Sequence, residues 1–112
     1  MESDWKKFRA MVPVLRERYL AKCNARVADM LNASGKNHTE RFWDAMEEME
    51  KEAKTLRYCL DGHSRSKMFL FMISMVRCGM LTKEDLAEFS QELQDQISGT
   101  FGANLIQFPS PP

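Results

Sequence analysis

The side chains with the greatest chemical potential cluster between residues 59 and 67, in the run Cys59-Leu-Asp-Gly-His63-Ser64-Arg65-Ser66-Lys67. Cys59 and His63 could act as a thiol–imidazole pair, or His38 and His63 as metal ligands. A metal site needs three or four ligands at defined spacing. A nucleophilic cysteine needs a base and a group to orient that base. The sequence completes neither set, so a half-buried cysteine beside a loop histidine is the simpler reading. The three cysteines, Cys23, Cys59 and Cys78, are odd in number and far apart. With no CxxC pair they indicate neither a zinc knuckle nor a thioredoxin-like centre. No catalytic residue, metal ligand or cofactor is therefore assigned.

The same run suggests an anion site. Ser64, Arg65, Ser66 and Lys67 stand where a helix begins, and helix N-termini present free N–H groups and a partial positive charge. The GxxxxGK[ST] spacing of a P-loop is missing. A capped turn facing water would have the same composition.

These residues must be positioned by helices. From Met68 to Val76 eight of nine residues are apolar, interrupted only by Ser74. An all-round apolar helix should be wrapped by other elements, so residues 64–79 are expected to form a central third helix, with Phe71 and Ile73 both inaccessible. Around it the spacing predicts an all-α fold of four helices, at about 3–32, 39–60, 64–79 and 82–98. The first carries Trp5, Phe8, Val12, Leu15, Tyr19, Cys23, Val27 and Met30 at helical spacing, and Pro13 should kink it. Arg26 lies near this apolar arc with no partner that the sequence identifies. The second, capped by Thr39, has Phe42, Met46, Met49, Ala53, Leu56 and Leu60 in alternating steps of four and three, a heptad pattern. Glu47–Lys51 and Glu50–Lys54 can pair across its outer face.

Leu60-Asp-Gly-His63 reads as a helix stop, with Gly62 at the position that favours a left-handed backbone. Gly79 should close the third helix, with Met80 folding back on Met75. Thr82 to Leu86 then gives the sharpest local signal in the chain. Thr82 is an N-cap, Asp85 its capping-box partner, and Leu81 with Leu86 a hydrophobic staple. Residues 1–99 are expected to form one helical domain. Residues 100–112 should form an extended, proline-containing tail, whose Phe101, Leu105, Ile106 and Phe108 could dock on that domain.

Sixteen basic and sixteen acidic side chains cancel. A non-specific nucleic-acid binder draws most of its affinity from a concentrated positive field. The basic residues of helix 1 (Lys6, Lys7, Arg9, Arg16, Arg18, Lys22 and Arg26) scatter on both flanks of its apolar seam. Nucleic acid is thus an unfavoured partner, although a regulator using helix 1 and the 62–67 turn is the alternative. No apolar stretch reaches the roughly 20 residues of a membrane span, and the N-terminus lacks a signal peptide's apolar segment. A cytoplasmic setting is expected.

The reading that fits best is a non-enzymatic helical interaction or regulatory module that self-associates as a homodimer. Its interface would comprise Trp5, Phe8, Phe42, Trp43, Met46 and Met49, because the seams of helices 1 and 2 are longer than the rest of the chain can cover. An anion or small-ligand binder at the third helix's N-terminus ranks below both.

Overall fold

Helix α1 runs unbroken from Glu2 to Leu31 in a computed structural model that describes residues 2–101. Pro13 sits inside it, and the apolar spacing continues across the proline. Phe8, Met11, Val12, Leu15, Tyr19 and Cys23 are all buried. After a short turn α2 runs back from His38 to Leu60, a 3₁₀ turn follows at Arg65–Lys67, and α3 spans Met68–Arg77. A single-turn α4 (Lys83–Leu86) and the longer α5 (Gln91–Thr100) complete the order. The fold is all α, with no strand among the described residues. The tail beyond residue 101 lies outside the described residues.

The boundaries show what starts and stops each element. Asn37, rather than Thr39, caps α2: its side chain accepts the Glu40 N–H, and the Glu40 carboxylate accepts the Asn37 N–H. The Thr82–Asp85 capping box closes in both directions, with Leu81 and Leu86 buried beside it. At the end of α3 the Met80 N–H bonds to the Met75 carbonyl and the Gly79 N–H to the Val76 carbonyl. This is a Schellman closure, and Gly79 adopts the positive φ it requires.

Two expectations fail here. The helix anticipated at 82–98 is broken: α4 stops after one turn, and Ser90 caps α5 by accepting the Leu93 N–H. The buried Asp4 carboxylate accepts both the Ser90 N–H and its hydroxyl, at 2.9 and 2.6 Å, and so locks the break against the start of α1. The central helix is also shorter and less enclosed than expected. Ser64 makes no side-chain cap, and α3 proper begins only at Met68. Met68, Met72, Ile73, Met75 and Val76 face inward, Phe71 is half-buried, and Leu70 is 66% exposed. Phe69 and Phe71 still pack against the core from its margin, so Leu70 is the apolar residue of α3 left in water.

The hydrophobic core joins α1 from Phe8 to Cys23, the end of α2, α3, the 80–89 segment and α5. Neither α1 beyond Cys23 nor α2 before Leu56 contributes to it. That distal part of the α1–α2 hairpin projects as an arm, and the molecule measures 52 × 29 × 17 Å. Its radius of gyration, 16.4 Å, exceeds the roughly 13 Å of a compact chain of 100 residues.

Candidate functional site

On α2 the buried positions are Ala45, Glu52 and Cys59, seven residues apart. At 3.6 residues per turn this line lies roughly 60° around the helix from the apolar seam centred on Phe42, Met49, Leu56 and Leu60. The seam therefore reaches the core only at its C-terminal end, where Leu56 and Leu60 pack against it. Toward the arm's tip it runs into solvent. Phe42, Trp43 and Met49 are 51%, 62% and 53% exposed, with Met46 half-buried between them. The Phe42 and Trp43 rings meet edge-on at 5.0 Å, and Leu31 at the end of α1 is also exposed.

Of the six residues expected at an interface, the structure gathers Phe42, Trp43, Met46 and Met49 on one flank. The other two lie elsewhere. Phe8 is fully enclosed in the core and cannot meet a second chain. Trp5 is half-buried, stacked on Phe8 with Arg9 over its ring.

A polar cluster explains why the inner face of α2 departs from its apolar seam. Glu52 is 7% exposed and accepts from the Tyr19 hydroxyl (3.1 and 3.2 Å), the Cys23 thiol (3.1 Å) and Arg26 Nη2 (2.6 Å). Arg26 Nε lies 2.9 Å from Glu48, in ion-pair rather than hydrogen-bond geometry. Arg26, unpartnered in the sequence, thus joins two carboxylates of α2. Burial, the hydrogen bond to Glu52 and that group's charge push the Cys23 thiol up to about 12. Burial and the same carboxylate also raise Tyr19. These groups are therefore protonated donors that tie α1 to α2. The expected pairs Glu47–Lys51 and Glu50–Lys54 are not among the ion pairs of the described residues.

The residues around position 63 separate. His63 donates from Nε2 to the Cys59 carbonyl at 2.7 Å, and its ring lies 5.0 Å from Phe8 and 4.4 Å from Phe71. It packs instead of pairing with the Cys59 thiol. Arg65 is bound to the Glu2 carboxylate at 2.8 Å, and Ser64 faces Ser66 at 3.4 Å. The 64–67 segment thus already holds an internal anion through Arg65. Three further basic residues are similarly engaged: Lys7 with Glu88, Arg18 with Asp85, and Lys36 with Asp44.

The partner of Cys59 is Cys78, which sequence spacing alone could not single out. Their sulfurs lie 3.6 Å apart, across the contact of α2 with the end of α3. Cys59 is buried, whereas Cys78 is partly exposed to a cleft of about 480 Å³. That cleft is lined by Lys54, Thr55, Tyr58, Ser74 and Arg77 together with the two cysteines. Either sulfur can donate in this contact, and the Cys78 thiol also donates to the Met75 carbonyl at 3.4 Å. The hydrogen bond shared with Cys59, helped by the Met80 and Cys78 N–H groups, holds the Cys78 thiol below its ordinary value despite burial, to about 7. The same shared bond and burial raise Cys59.

Among the described residues no three or more His, Cys, Asp or Glu side chains group to hold a metal ion, and no helix is long and apolar enough to cross a membrane. No protein-family model, curated protein or solved structure matches the chain.

Proposed function

We propose that the protein is a non-enzymatic helical interaction module, which self-associates as a homodimer through the apolar flank of the α1–α2 arm. The observation that carries this reading is the exposed run Phe42, Trp43 and Met49 on an arm that the main core does not reach. Large contiguous apolar patches on a monomer are unfavourable in water and mark interaction sites. A second copy is the occupant that the charges favour. Residues 24–52 carry seven acidic and four basic side chains, and residues 2–23 carry three acidic and six basic. A two-fold pairing that lays each arm along the first half of the other chain's α1 brings these unlike halves together. Two-fold closure is also the commonest arrangement for a single chain type. Three free thiols suit the reducing conditions of a cytoplasmic setting.

Light scattering on the full chain tests the proposal. The wild type is expected at twice the chain mass, and the double substitution Phe42→Glu with Trp43→Glu at the mass of one chain with unchanged circular dichroism. A monomeric wild type throughout a concentration series would sink the reading. A double variant that stays dimeric would move the interface away from this flank.

A further inference from the structure

We propose that Cys59 and Cys78 form a hydroperoxide-responsive thiol pair, in which Cys78 is oxidised first and Cys59 then closes a reversible disulfide between α2 and the end of α3. The geometry separates the two roles. Both cysteines line the cleft, but Cys78 is the partly exposed residue, while Cys59 is 1% exposed and has Cys78 sulfur 3.6 Å away. Lys54 and Arg77 line the same cleft, while the charge of the Glu52 carboxylate opposes ionisation of Cys78, so the thiolate relies on its hydrogen bonds. The hydrogen bond shared by the two sulfurs stabilises a Cys78 thiolate once Cys59 is its donor. Bond formation requires the sulfurs to approach by about 1.5 Å, since a disulfide is about 2 Å long. Cys78 is suited to that movement because it is the C-cap residue of α3, immediately before Gly79. Cys23 is the internal contrast. It is buried against Glu52, its thiol donating to that carboxylate, and has neither an open face nor a second sulfur.

The chemistry balances with hydrogen peroxide as the oxidant. The Cys78 thiolate attacks one peroxide oxygen, the O–O bond breaks, and the other oxygen leaves as water after taking a proton. Cys78 is then a sulfenic acid. Cys59 sulfur attacks Cys78 sulfur, the S–O bond breaks, and the oxygen departs as a second water with the Cys59 proton. Two thiols have lost two hydrogens to one peroxide, and an external dithiol reverses the change by exchange.

The test treats the reduced full-length protein with hydrogen peroxide and maps its peptides without reduction. The expected product is a single intrachain Cys59–Cys78 link, with the chain lighter by two hydrogen atoms and fully restored by dithiothreitol. Its melting temperature should rise by several degrees, because a cross-link restricts the unfolded chain. Cys23→Ala should give the same product. In Cys59→Ala, Cys78 should be captured as a sulfenic acid by a cyclic dione, whereas in Cys78→Ala residue 59 should remain a thiol. Oxidation of Cys23 ahead of the pair, disulfides only between chains, or two unreacted thiols in the wild type would each overturn the proposal. The wild-type map decides even where a variant fails to fold.

Discussion

At Asp85 one carboxylate serves two elements. It accepts the Thr82 N–H at 2.8 Å within the α4 cap and Arg18 Nη1 of α1 at 3.1 Å, while Arg18 Nη2 also reaches the Met80 carbonyl at 3.0 Å. Burial pushes the Asp85 carboxyl up, but Arg18 and the Thr82 donors outweigh it and hold the group below the ordinary carboxylate value. A depressed folded value stabilises the native state above the unfolded-chain value, about 3.9, and that stabilisation disappears as pH falls through the folded value. Asp85→Asn should therefore lower stability near neutral pH by about 1–2 kcal/mol, the worth of hydrogen bonds to a charged group reduced for the solvent exposure of Arg18. Its deficit against wild type should shrink below about pH 4. Denaturant titrations across that range check both statements, and a deficit independent of pH would refute them. The cap itself was legible, because Thr82 and Asp85 are neighbours in sequence. Arg18 lies 67 positions from Asp85, and no local pattern could pair them.

Helices were easier to read than their faces. The long α1, the closure at Gly79 and the capping box at Thr82 each rest on short-range signals. The break before α5 was hidden because Leu86, Phe89, Leu93 and Ile97 keep helical spacing across it, and all four are buried. Its lock, Asp4, lies 86 positions from Ser90. Asn37–Glu40 was a readable capping box that the choice of Thr39 overlooked. On α2 the apolar periodicity pointed away from the packed side, because Glu52 occupies that side and finds its partners on another helix. On α3 the apolar run was real, but composition could not show that its neighbours leave Leu70 in water. The two sides should now behave differently. Ile73→Asp buries an unpaired charge whose cost, several kcal/mol, is a large part of a typical stability of about 5–15 kcal/mol, so the domain should unfold. Leu70→Asp on the exposed side should keep the native circular dichroism and melt within a few degrees of wild type. Equal damage from both would restore the enclosed-helix view.

The whole molecule divides along α1. Up to Cys23 the helix lies in the common core, whereas from Asn24 onward it no longer contributes to that core, and its side-chain ion pairs to α2 run through Arg26, with Ala33–Arg41 and Lys36–Asp44 contacts in the turn beyond it. Opening a segment costs free energy in proportion to the buried contacts it must break, so one structure can hold regions of very different local stability. A single continuous helix should then show two amide-exchange regimes. Residues 11–20 should exchange only with global unfolding, and residues 24–50 through cheaper opening of the arm. If the arm is where two copies meet, mass action makes its protection rise with protein concentration, while slowly exchanging amides near Leu15 gain no more than the dimer adds to global stability. Hydrogen-exchange mass spectrometry over a dilution series reads both regimes in one experiment, and uniform protection along α1 would contradict the division. The arm's order would then act as a gauge of how much of the protein is present.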